Sequence, residues 1–227
     1  MSDWVYGVID AAGTYAPRVG GVDPCHDIEL VRQGELAALT STVGFTEESL
    51  QASLEELAEL ESIARAHERV LDDALRRGPV VPFRIATLYE SREHVREMLA
   101  AERTPLVAAL RRLRGKAEWG VKAYAPAAPA SAAPPASGAD YLARKTAGRH
   151  AAEEVDAAVD AVHERLRAQA SGAVLNPARD RGMLLNAAYL VADADVPVFR
   201  ALVSELSGRH RIPLQLTGPW PAFHFSR

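Results

Sequence analysis

One cysteine, Cys25, stands in the 227 residues, so no internal disulfide can form and nothing asks for an oxidising compartment. No apolar run approaches the roughly 20 residues that span a bilayer, and Met1-Ser2-Asp3-Trp4 lacks the basic and apolar regions of a signal peptide. Positive charge is not in excess either: the formal net charge is −4, which argues against nucleic acid as the main partner. A glycine-rich phosphate loop is missing, and Gly115-Lys116-Ala117 has no hydroxyl to hold magnesium. Among the histidines (His26, His67, His94, His150, His163, His210 and His224) no two have the spacing that sets metal ligands on one helix face. The expectation is a cytoplasmic chain without metal, cofactor or membrane span.

Possible catalytic groups reduce to ordinary ones. Cys25-His26-Asp27 is too short a run for a triad, because consecutive side chains on an extended segment point to opposite faces; it reads as a buried or half-buried thiol at a strand start. The neighbouring acids Asp72-Asp73 and Glu153-Glu154 diverge by about 100° on a helix and read as solvated faces. Basic clusters at Arg111-Arg112-Leu113-Arg114 and at Arg144-Lys145 with Arg149 read as helix faces or cationic helix ends. His67 belongs with a helix's apolar face as a core or boundary residue. No enzyme activity is expected.

What is present is alternating strand and helix pattern. Val5 to Ile9 is an apolar strand, and Ile28–Val31 with Leu36–Val43 make a hairpin turning at Gly34. Thr46 caps a helical pattern running to Leu75, with a break near Glu61-Ser62 and an end at Gly78-Pro79. Val80 to Leu88 alternates as a strand in which Pro82 removes a ladder donor, which suggests an edge or a bulge. Ser91 caps one helix and Thr104-Pro105 restarts another, ending at Gly115. Glu118–Tyr124 is a strand, residues 125–139 form an Ala/Pro-rich exposed loop, and a long helix follows from Tyr141 with Val155, Val159, Val162 and Leu166 on one stripe. Met183–Val191 is a buried strand, Val196–Leu206 a helix capped by Asp195 and closed by Gly208, and Ile212–Leu216 a last strand. The pattern predicts an α+β protein of two units, an N-terminal domain over 1–117 and a C-terminal ferredoxin-like α+β domain over 118–227.

Four runs carry a specific likeness: Val80-Val81-Pro82-Phe83-Arg84, Arg114 to Lys122 with Glu118-Trp119-Gly120-Val121 inside it, Leu184 to Val191 around Tyr189, and Gly218-Pro219-Trp220-Pro221. Jointly they resemble the gas vesicle protein F/L family. The chain departs from the family pattern at Ile85-Ala86, where Phe-Gly is usual, and at Ala222-Phe223-His224-Phe225, where a Pro-Tyr step is usual. The resemblance implies a two-domain α+β accessory protein of gas vesicle assembly, located with the vesicle in the cytoplasm. It implies binding to the main shell protein, contact with other accessory proteins, and no enzyme activity. An alternative class is a ligand-binding or sensory α+β module, and self-association by the long helices is open.

Trp220, Phe223 and Phe225 are the candidate protein-interaction residues, since exposed aromatics anchor interfaces. Arg84, Glu118, Trp119, Lys122 and Tyr189 are candidate structural residues. Arg84 in a strand would be costly to bury alone, and Glu118 is its expected partner.

Overall fold

Asp3 to Ile9 are buried without interruption in strand β1 (Ser2–Asp10), so this strand sits at the centre of its sheet. In the computed structural model, which describes residues 1–13, 15–44, 55–125, 137–178, 180 and 182–226, β1 pairs antiparallel with β3 (Leu36–Val43). β3 in turn pairs with β2 (Glu29–Gln33) across a hairpin whose Gly34 has φ 59°, a value that glycine adopts without strain. On the other side β1 pairs with two short strands, β4 (Val81–Pro82) and β5 (Leu88–Tyr89). Among the described residues three helices belong to the same unit: α1 (Leu57–Leu75), α2 (Arg92–Ala101) and α3 (Arg103–Leu113). α1 and α3 pack on β1, and α2 packs on β2 and β3.

The α1 face that turns inward carries Ile63, Ala66, His67, Val70, Leu71 and Ala74, spaced three and four apart as one helical stripe requires. It comes so close to β1 that a Cβ on Gly7 would lie 2.7 Å from the Val81 carbonyl oxygen and 2.9 Å from Leu71 Cδ2. Gly7 is therefore a spacing residue. The pairing of β1 with β3 also slips between Val5 and Gly7, a bulge that accommodates the same crowding.

The second group of elements begins with β6 (Lys116–Tyr124) and continues through α4 (Gly138–Ala168), β7 (Gly172–Leu175), β8 (Met183–Ala192), α5 (Val196–His210) and β9 (Leu214–Trp220). Its sheet has the order β7-β8-β6-β9, with β7 and β8 antiparallel. Trp119, Val121, Val162, Leu166, Tyr189 and Phe199 lie at the centre of its core. The chain thus forms two compact units, Met1–Glu118 together with Pro219–Arg227, and Trp119–Gly218. The last nine residues, expected to end the C-terminal domain, group with the first unit. Mixed helices and sheets make the class α+β, as expected.

Several local expectations need correction. α1 runs through Glu61-Ser62 without a break, and the Glu61–Arg65 ion pair one turn apart supports that stretch. The expected cap at Thr46 lies outside the described residues. The strand expected over Val80–Leu88 is two two-residue strands around an irregular turn: Thr87 Oγ1 donates to the Arg84 carbonyl at 2.7 Å, and Ala86 has φ 64°. Thr104-Pro105 falls inside α3, which starts at Arg103 after Glu102. α5 passes through Gly208 to His210 and is closed by Arg211 in the left-handed conformation, φ 54°. Asp195 makes no capping hydrogen bond there. β7 went unanticipated, because Gly-Ala-Val-Leu is too short a run to announce a strand.

Replacing Gly7 by alanine tests the spacing argument. The added methyl must push α1 or β4 away, so Gly7→Ala is expected to cost about 2 kcal/mol, read as a lower urea midpoint. A midpoint equal to wild type would show that the helix-to-sheet spacing is adjustable.

Candidate partner-binding surface

In the C-terminal run two large aromatics, Trp220 and Phe223, are exposed to solvent. Gly218, at φ 122°, lies inside β9 two residues before its end, a backbone conformation that glycine adopts without strain. Pro221 and Ala222 then bury, while Trp220 is 39% and Phe223 41% exposed and Phe225 is half-buried. Tight turns shape the segment: Phe223 N–H donates to the Pro221 carbonyl at 2.8 Å and Phe225 N–H to the Ala222 carbonyl at 3.2 Å.

Glu118 holds this segment down. Its carboxylate is 6% exposed, and both oxygens accept from His224: the backbone N–H at 2.9 Å and ring Nδ1 at 2.7 Å. Because a carboxylate only accepts, Nδ1 carries the proton. Arg112 adds a second clamp, its guanidinium donating to the Phe225 carbonyl at 2.6 Å. The expected pairing of Glu118 with Arg84 is thus replaced by His224, and Arg84 stands exposed on the irregular turn between β4 and β5. The expectation rested on the cost of burying Arg84, which is exposed, whereas the buried member is Glu118. The separation of 106 residues hid its partner.

The other candidate structural residues lie in the second unit. Trp119 is 5% exposed with the Arg200 guanidinium 5.9 Å from its ring centroid, and its Nε1 has no hydrogen-bond partner among the described residues. Tyr189 is wholly buried and its hydroxyl meets His163 Nδ1 at 2.8 Å; burial pushes its pKa up. Lys122 is half-buried on β6.

Titratable groups inside the first unit are committed to one another. Trp4 Nε1 donates to His67 Nδ1 at 3.0 Å, and His67 Nε2 lies 3.0 Å from the Phe83 carbonyl, which only accepts. His67 is therefore neutral with its proton on Nε2. Burial pushes its pKa down to about 4, against a smaller opposite effect of the Phe83 bond. Tyr6 shares its hydroxyl with Ser41 at 2.7 Å and accepts from Val22 N–H at 2.9 Å. Tyr15 donates to Asp73 at 2.9 Å, and Arg77 pairs with the same carboxylate while stacking over the Tyr15 ring. Burial works to raise the Asp73 pKa, but the Tyr15 and Arg77 bonds outweigh it and hold the carboxyl below the usual range.

A cavity of about 350 Å³ lies beside this group, lined by Ile9, Tyr15, Ala74, Arg77 and Pro79 among others, with Arg77 already engaged by Asp73. Cys25 is exposed rather than half-buried, because Asp23 gathers the Cys25 N–H, the Gly44 N–H and the His26 ring into a surface turn. Among the described residues no three His, Cys, Asp or Glu side chains gather as a metal site, and no helix is long and apolar enough to cross a membrane.

Comparison with known proteins agrees along the whole chain. Residues 3–227 match the family model described as gas vesicle synthesis protein GvpL/GvpF. The chain is 37% identical to gas vesicle protein L of Streptomyces sp. (strain CB03234), over 93% of this chain and 86% of that protein. With gas vesicle protein F of the same strain the identity is 28%, over 99% of each. Crystal structures of GvpF from Anabaena sp. PCC7120 and from Microcystis aeruginosa superpose with TM-scores of 0.74 and 0.72 at 14% identity. The first alignment covers 100% of this chain and 96% of that one, the second 100% and 99%. At that identity the likeness is one of fold.

Two outcomes test this geometry. Glu118→Ala removes the acceptor of His224 and should free the tail, costing about 1–3 kcal/mol locally; chymotrypsin should then cut at Phe223 and Phe225 much faster. Unchanged cleavage would mean that Arg112 and packing suffice. For His67, the unfolded chain binds a proton near pH 6.5 and the folded one only near 4, so above 6.5 both are neutral and stability is unaffected. As pH falls from 6.5 to 4 the unfolded state gains the proton first, and the fold loses up to about 3 kcal/mol. Urea unfolding of His67→Gln across that window should show a correspondingly flatter pH dependence than wild type.

Proposed function

Because the chain belongs to the gas vesicle synthesis protein GvpL/GvpF family, and so serves gas vesicle formation, we propose that it is a non-enzymatic accessory protein that binds the main gas vesicle shell protein and aids its incorporation or nucleation. A shell built against water needs a very apolar inner face, and unassembled subunits expose that surface to one another. An accessory protein that covers it with a matching patch keeps the subunit soluble until it is placed. The observation that carries this reading is the pinned aromatic tail: Trp220 and Phe223 are exposed while their backbone is clamped by Glu118 and Arg112. Rigid, exposed aromatics bind with little ordering cost, which is what a transient holder requires.

On this reading the protein works in the cytoplasm and at the vesicle, with other accessory proteins as further partners. The second unit reads as ferredoxin-like, on its strand–helix–strand–strand–helix–strand order and its β7-β8-β6-β9 sheet.

Coexpression with the main shell protein and pull-down tests the proposal. Trp220→Ala and Phe223→Ala should each reduce capture roughly tenfold or more, with circular dichroism unchanged. Wild-type capture by both folded variants would remove the tail from the interface.

A further inference from the structure

Helix α3 is tied to the aromatic tail by Arg112, and its charge is of one sign. From Arg103 to Ala117 the chain carries five bases, Arg103, Arg111, Arg112, Arg114 and Lys116, and no acid, although acids exceed bases 30 to 26 overall. All four arginines are exposed. Two of them are answered within the unit: Arg103 pairs with Glu35, and Arg114 lies 3.7 Å from Asp10. Arg112 donates to the Phe225 carbonyl at 2.6 Å, the contact that sets α3 against the tail. Arg111 makes no ion pair and no hydrogen bond among the described residues. Asp10 and Glu35 share a shallow recess with it, but both are already engaged, so the charge of Arg111 is the surplus one.

This surplus lies close to the exposed aromatics. Arg111 precedes Arg112 on the helix, a little over a quarter turn away. Phe223 stands two residues, at most about 7 Å of chain, before the carbonyl that Arg112 holds. Both fall within the footprint of about 800 Å² that one partner covers. An apolar anchor with a cation at its margin is complementary to apolar side chains flanked by a carboxylate. A wholly apolar occupant would take water from the guanidinium and return nothing.

We infer that Arg111 is a specificity-determining contact of the shell-binding surface, meeting a carboxylate of the main shell protein beside the apolar residues that cover Trp220 and Phe223. The inference rests on the reading of the tail as the shell-binding site and adds the charge of the segment that docks there. The surplus charge steers that carboxylate in and fixes which way the apolar segment lies across the tail. Two subunits alike in greasiness are then told apart by whether an acid stands in the right place.

Pull-down of the main shell protein by the full chain, at about 50 and about 500 mM salt, tests this. Wild-type capture should fall about threefold as salt rises. At low salt Arg111→Ala should lose about threefold and Arg111→Glu about tenfold, while Arg111→Lys keeps most of it; at high salt these differences should close. Trp220→Ala should lose capture at both. Lys145→Glu, at an exposed position on α4, changes the net charge as much as Arg111→Glu and should capture like wild type. Full capture by Arg111→Glu at low salt, with Trp220→Ala still deficient, overturns the inference and leaves the tail as the shell-binding site. An equal loss in Lys145→Glu overturns it by showing that net charge alone matters. Loss of wild-type capture on nuclease treatment overturns it by giving the arginine to nucleic acid. No capture by wild type at either salt removes the tail reading and the inference together.

Discussion

One buried carboxylate settles where the chain ends. Glu118 closes β6's first-unit portion, and His224 lies beyond the entire second unit, yet the two are joined by a pair of hydrogen bonds. Removing a carboxylate from water costs several kcal/mol unless its oxygens are satisfied. Here both are, by a single residue, and that residue is fixed in turn by the turns on either side of it. The second unit therefore stands as an insertion within the first: the chain leaves at Glu118 and returns at Pro219, and its entry and exit strands, β6 and β9, are neighbours in one sheet. Adjacent entry and exit points are what allow an insertion without disturbing the host. On that return Pro221 and Ala222 are buried, while Trp220 and Phe223 stay exposed.

Polar and ionisable side chains inside the first unit are committed to one another. His67 is held neutral between Trp4 and Phe83, Tyr15 and Arg77 are tied to Asp73, and Tyr6 is tied to Ser41. Each link satisfies a polar atom that burial would otherwise penalise by about 1–3 kcal/mol, and each fixes one element on another: β1 to α1 and to the segment after β4, the first loop to the C-terminal end of α1. These groups register the elements. A reacting group needs a free lone pair or proton aimed at open space, and these have directed theirs at one another.

Much of this was legible in the residues, for identifiable reasons. Gly34 marked its hairpin because a tight turn needs positive φ, Ser91 marked its helix because a hydroxyl caps one, and the stripe of Val155, Val159, Val162 and Leu166 marked the packed half of α4. The four runs that resemble the family identified it without any knowledge of shape. What stayed hidden was set by tertiary contact. Val80 to Leu88 alternates like one strand, yet the Arg84–Thr87 turn splits it. β7 exists because β8 offers it a partner, not because four residues insist on a strand. Gly208 did not stop α5, since Arg211 could adopt the left-handed turn three residues later. Arg84 was expected to need Glu118, and only the returning chain could show that His224 takes up that carboxylate instead. The exposure of Trp220 and Phe223 was likewise a property of the fold, because aromatics beside proline look the same in a core or on a surface.

The tail and the exposed part of α4 differ in physics. The tail is aromatic, small and clamped, so its attraction to an apolar partner comes from area removed from water and persists as salt rises. The exposed part of α4 carries charges of both signs, and any contact made through them weakens as salt shortens the Debye length. A protein that must hold a sticky subunit and later release it gains from keeping these forces on different elements.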